Sequence, residues 1–247
     1  MQIDALALRL RLCAPHEAAD LGVRLCQQAR ASVYRCYLAA LLPVSVLAIA
    51  SAWVAPWLPC LLLWWAKPWL DRSILFALSR AAFGLQTGWQ ELWQARRQVW
   101  FGQFLRTWTL RRLSASRAYT QPVIQLEQLR GAALRRRVQQ LRRGRLGQAR
   151  LLSTTFGLSE SAIALGLVAL LAWFAPRNQT LPELIQDWKA WSTLMRTLLL
   201  AFLPYLGAVL LVEPCYVAAG FGMYLNRRVE LEAWDIEQEL RHAFAPA

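Results

Sequence analysis

Lysine is nearly absent from this chain of 247 residues, which has two lysines against 26 arginines. Histidine is as scarce: His16 and His242 lie near the ends, and neither has a cysteine or acidic partner at metal-ligand spacing, so no metal site is expected. The five cysteines (Cys13, Cys26, Cys36, Cys60, Cys215) are odd in number and form no CxxC pair. They read as reduced, small apolar residues. No glycine-rich phosphate loop, nucleophile elbow or paired-carboxylate motif occurs, so the residues support neither an enzyme nor a cofactor. Charge itself is missing over one long stretch: the 31 residues 36–66 contain no Asp, Glu, Lys or Arg.

What is present is apolar. Apolar residues make up 57% of the chain and charged ones 17%, with 13 tryptophans, a balance far from that of a soluble globular domain. The uncharged run exceeds the roughly 20 residues that cross a bilayer core, and it starts too late and runs too long for a signal peptide. Pro56 and Pro59 interrupt it between Trp53 and Trp57, which suggests a tight turn at a membrane face. Span one then covers about 36–54. From Pro59 to Ala66 a helix rises only about 12 Å of the roughly 30 Å required. The return helix must therefore run through "WWAKPWLDRSILFALSR" to about residue 80, carrying Lys67 and Asp71 to mid-depth.

The alternative is one tilted span ending at Lys67, and charge asymmetry decides against it. Residues 80–150 hold 15 Arg and two acids, and residues 1–35 hold five Arg and three acids. Both belong in the cytoplasm by the positive-inside rule, so an even number of crossings separates them. Further apolar segments at 151–176 and 197–225 add two spans. The segment between those two, 177–191, carries balanced charge as an external loop should, and includes a chance-prone NQT pattern at Asn178. The expectation is an all-α polytopic membrane protein with about four transmembrane helices and both termini cytoplasmic. Its segments are an N-terminal cytoplasmic or interfacial piece at 1–35, a transmembrane hairpin at 36–80, Arg-rich helices at 81–150, a second transmembrane pair at 151–226 and a tail at 227–247. Within 1–35, residues 8–12 alternate like a strand, and Pro15, Glu17 and Asp20 suit the start of a surface helix.

Two residue sets invite a functional reading. In the middle segment Trp89, Trp93, Trp100 and Phe104 share an arc of about 60° on a helical wheel, beside Arg96, Arg97 and Arg106. Rings among acyl chains and guanidiniums at phosphates suit a helix in an anionic membrane interface, and packing on a neighbouring helix explains the stripe equally well. Arg135, Arg136, Arg137, Arg142 and Arg143 surround Leu134, Val138 and Leu141 at helical spacing. Nucleic acid is the weaker reading of that cluster, because juxtamembrane arginine is expected for orientation and headgroups alone. The second set is charge at membrane depth: Lys67, Asp71, Arg72, Glu160 and Glu213. Such groups usually face a bundle interior, paired with one another. Lys67-Pro68 and Glu213-Pro214 repeat one arrangement in two spans, which predicts that Glu213 pairs with Lys67 or Arg72.

The stretch "MYLNRRVELEAWDIEQELR", 223–241, resembles the closing segment of YciC-like and glycerophosphodiesterase-linked membrane domains, and "LRLRLCAPHEAADLGVRL" and "WWAKPWLDRSILFALSRAAFG" resemble the start of related bacterial inner-membrane proteins. The resemblance covers about the first 85 and last 45 residues. It implies a multi-pass helical domain of the bacterial inner membrane, with gene neighbours encoding small membrane proteins and MoxR-type ATPases, and it implies no catalytic residue. The expected function is a non-enzymatic scaffold or complex subunit whose Arg/Trp face meets anionic lipid headgroups, other membrane or cytoplasmic proteins, or a second copy of the chain. The alternative is a small-solute or lipid transporter built on the buried charges.

Overall fold

The computed structural model describes residues 13–101, 114, 116–173 and 198–232. Phe104, the alternating stretch at 8–12, the loop at 177–191 and the tail beyond 232 lie outside them. All regular structure among the described residues is helical. Helix α1 (Pro15–Gln28) breaks at Ala29, and α2 (Arg30–Ser51) follows. A turn over 52–57 reverses the chain into α3 (Leu58–Ala81), whose first turn contains Pro59. Proline is tolerated there because the first helical N–H groups have no partner to lose.

The reversal expected at the paired prolines is therefore present, and α3 continues unbroken through Lys67, Asp71 and Arg72. At 24 residues α3 is about 36 Å long. Three helical stretches are long and apolar enough to cross a membrane: Arg30–Ser51, Leu146–Leu171 and Leu200–Glu232. Helix α3 matches them in length, and its charged triad is what lowers its apolar character. Its residues from Lys67 to Ser79 are nearly all buried, whereas the α2 residues Leu42, Val46 and Leu47 are exposed.

The middle segment departs from a single amphipathic helix. Gly84 (φ 71°) ends α3 in the left-handed region open to glycine. Helix α4 then covers only Trp89–Gln94, with the Glu91 carboxylate accepting from the Gly88 N–H at 3.0 Å and pairing with Arg80 at 3.2 Å. A π-helical turn at Arg97–Phe101 rotates the chain. Helices α5 (Arg117–Gln125), α6 (Gly131–Arg142) and α7 (Leu146–Trp173) follow, and a second π-helical turn, Leu198–Phe202, leads into α8 (Leu203–Glu232).

Helix α8 is the spine, packed by α1, α3, α5 and α7. Its glycines set two of these contacts. A Cβ on Gly222 would collide with the Ala18 carbonyl oxygen, and one on Gly22 with that of Ala218, so α1 and α8 cross backbone to backbone. Small residues spaced four apart on both helices, Ala18/Gly22 and Ala218/Gly222, permit that approach. A Cβ on Gly220 would meet Ala118 of α5. Sequence reasoning places α1 on the membrane surface; the structure lays its buried face along α8, while His16, Glu17, Asp20 and Arg24 form a polar outer face. Asn226 ties the chain before α1 to this spine, its amide donating to the Cys13 carbonyl at 2.9 Å.

The exterior divides in two. Large apolar side chains are exposed along α2 (Leu42, Val46, Leu47), the paired-proline turn (Trp53, Trp57) and α7 (Leu158, Leu165). The other end of the molecule, formed by α6, the start of α7 and the end of α8, is studded with Arg and Glu.

Candidate functional site

Four helices converge on a cluster of charges. Lys67 of α3 contacts Glu160 of α7 and lies 2.9 Å from Glu213 of α8. Arg117 of α5 contacts Glu213 as well and lies 2.8 Å from Asp71 of α3. Lys67 Nζ also sits over the Tyr205 ring at 5.7 Å, and Arg117 over the Tyr216 ring at 5.4 Å. These rings shield the charges from apolar surroundings while offering their negative faces to the cations. Four of the five predicted buried charges are thus joined, and the expected Lys67–Glu213 contact is made.

Arg72 stands apart. It is buried, but the ion pairs of Asp71, Glu160 and Glu213 go to Lys67 and Arg117. The cation that sequence reasoning missed is Arg117, one of 15 arginines between 80 and 150 and indistinguishable there from a cytoplasmic orientation signal. A usable clue follows it: Gln121 and Gln125 repeat at i, i+4 in a segment that also contains Pro122. Their side-chain amides donate to the α3 carbonyls of Pro68 (3.2 Å) and Arg72 (2.8 Å), also four apart. A buried amide without a partner costs about 1–3 kcal/mol, so this ladder fixes the rotation of α5 and with it the direction of Arg117.

The cluster borders two cavities. One of about 150 Å³ is lined by Lys67, Arg117, Ser153, Glu160, Glu213 and Tyr216. The other, about 570 Å³, shares Lys67, Gly157 and Glu160 and extends past Cys60, Trp64 and Tyr205. Along α7 the first is flanked by Ser153 and the second by Ser161, so the Lys67–Glu160 pair stands where they meet. In the first cavity Tyr216 and Ser153 hydroxyls are 2.9 Å apart.

The aromatic stripe divides. Trp89 and Trp93 are 57% and 51% exposed, but Trp100 is only 8% exposed. Its indole N–H donates to Ser73 Oγ at 2.9 Å, and its ring lies 5.1 Å from that of Trp69. Trp100 still touches Trp93, their rings 6.0 Å apart edge to face, but it is buried on α3 and is an internal contact rather than an interfacial one. The arginine set divides as well. Arg135, Arg136 and Arg143 are exposed. Arg137 is turned inward, 3.0 Å from Glu127 and in contact with Glu232. Burial alone would lower its pKa, but the Glu232 and Glu127 carboxylates outweigh that and the guanidinium's pKa is raised. Arg142 donates to Ser114 and Ser116 hydroxyls at 3.0 and 2.8 Å, and burial, aided by Arg150, lowers its pKa.

Among the described residues no group of His, Cys, Asp and Glu could hold a metal ion. No family model, curated protein or solved structure matches the chain. The YciC-like resemblance therefore rests on the quoted residues alone.

Proposed function

We propose that this chain is a non-enzymatic, multi-pass protein of the bacterial inner membrane, acting as a scaffold or subunit of a membrane complex. In this reading α2, α3, α7 and α8 cross the bilayer with both termini cytoplasmic, and α3 crosses because α2, α5 and α8 surround its charges. The exposed residues Trp89, Trp93, Arg135, Arg136 and Arg143 meet anionic headgroups or a partner protein. The observation that carries it is the division of the surface. A broad exposed apolar belt lies on one part of the molecule, and arginines not consumed by internal ion pairs lie at the end where the second half of α8 and α6 meet. Lipid tails suit the first and phosphates the second.

The test is the melting temperature of the purified protein on adding phosphatidylglycerol or phosphatidylcholine. Phosphatidylglycerol should raise it more, and the triple variant Arg135→Gln, Arg136→Gln, Arg143→Gln should lose that difference. Equal responses to both lipids would reject a headgroup site. Labelling of single cysteines supplies the orientation: position 143 reactive from the cytoplasm and position 57 from the periplasm.

One observation favours a second reading, a small-solute or lipid transporter. Two cavities, the larger of them open to the outside, meet at the Lys67–Glu160 ion pair, the arrangement expected of a site closed by a charge gate. Solute flux abolished by Glu213→Gln with the fold intact would favour it.

A further inference from the structure

The buried cluster does not balance. It joins three carboxyl groups (Asp71, Glu160, Glu213) to two cations (Lys67, Arg117). Fully ionised, it would hold a surplus negative charge away from water, at a cost of several kcal/mol. The surplus can be located. Asp71 is 0% exposed, and neither of its carboxyl oxygens accepts a hydrogen bond. Its 2.8 Å approach to Arg117 Nε is not aligned as a hydrogen bond, since that N–H also lacks a hydrogen-bonding acceptor. Glu213, in contrast, is held by both Lys67 and Arg117. The Asp71 and Glu213 carboxyls also share the Arg117 guanidinium, an approach that two carboxylates resist and that a shared proton completes.

We propose that Asp71 binds one exchangeable proton and donates it as a hydrogen bond to the Glu213 carboxylate, making this cluster a proton-binding site. The proton comes from water, and the Asp71 hydroxyl it forms neutralises the surplus charge. Access runs through the smaller cavity, which reaches Glu213 and is large enough for ordered water. Among the described residues no other group that faces the cluster pairs with its three acids. From α2, Tyr37 has its hydroxyl committed to the Val209 carbonyl at 3.2 Å. From α8, Tyr205 and Tyr216 present ring faces to the cations. From α5 and α7 come Arg117 and Glu160, already counted, and within α3 Arg72 makes no ion pair to the three acids. The site is independent of the lipid-contact reading and would exist with or without transport.

The test is infrared spectroscopy of the full-length protein in lipid nanodiscs at neutral pH. Wild type should show a protonated-carboxyl carbonyl band that shifts in D₂O. Asp71→Asn and Glu213→Gln should each abolish it, because either substitution leaves two carboxylates for two cations and no need of a proton. Asp71→Asn mimics the protonated acid in shape and should keep the wild-type melting temperature, so loss of the band is readable in a folded protein. The surface control Asp20→Asn should retain the band. A wild type with no such band overturns the proposal, as does a band that survives in Asp71→Asn. A band removed by adding sodium at constant pH also overturns it, since the surplus charge would then belong to a metal cation.

Discussion

The molecule contains two charge networks built from the same residue types, and their surroundings make them different objects. At mid-bundle, Lys67, Asp71, Arg117, Glu160 and Glu213 lie among four helices, with Asp71 and Glu213 innermost and acids in excess. At the polar end, Glu127, Glu230 and Glu232 meet Arg137, Arg145, Arg227 and Arg228, all partly exposed and with arginines in excess. In the first, a missing partner leaves a charge in a low dielectric; in the second, water takes the partner's place. The polar network works as a latch. Glu127 binds Arg137 of α6 at 3.0 Å and accepts the Tyr224 hydroxyl of α8 at 2.7 Å, and Arg145 binds Glu230 at 3.1 Å.

The sharpest way to break the comparison is to remove a buried cation. Arg117→Met should destabilise the protein by about 3–5 kcal/mol, because Glu213 loses a counter-charge and Lys67 alone is left to face Glu160 and Glu213, and thermal unfolding in detergent would show it. Asp71→Asn, by contrast, should change stability little. Charge reversal is a poor probe of the Lys67–Glu213 pair. Lys67→Glu with Glu213→Lys would put one new acid against Glu160 and one new cation against Arg117, so the double variant should be no more stable than either single one. Helix contact comes next: Gly222→Val forces α1 away from the Ala18 carbonyl and should cost about 1–3 kcal/mol, read as faster proteolysis between residues 13 and 28. The smallest effect belongs to the polar end. Arg145→Gln should cost less than about 1 kcal/mol, and that difference should shrink as salt is added, whereas the Arg117→Met loss should not.

Much of the helical frame was legible residue by residue. The paired prolines of "WVAPWLP" mark a reversal because proline ends one helix and can start another, and the run to Ala66 is too short to return without including Lys67. The Lys67–Glu213 contact was legible because two charged residues in apolar spans have few partners other than each other. Trp100 takes the packing alternative that the wheel left open, and only the position of α3 beside it decides this, because a wheel shows which residues share a face and not what covers that face. Both acids of the Arg-dense middle, Glu91 and Glu127, count as noise in a charge tally and prove to be a helix cap and a latch.

From composition and order alone came the helical character and the apolar stretches, since these depend on hydrogen bonding and transfer from water within one segment at a time. Which arginine enters the bundle, which tryptophan turns inward and where the surplus acid lies were decided only by tertiary packing. Identical side chains differ there through the neighbours that replace their water, and Arg117 gains its meaning from the glutamine ladder that aims α5, not from being arginine.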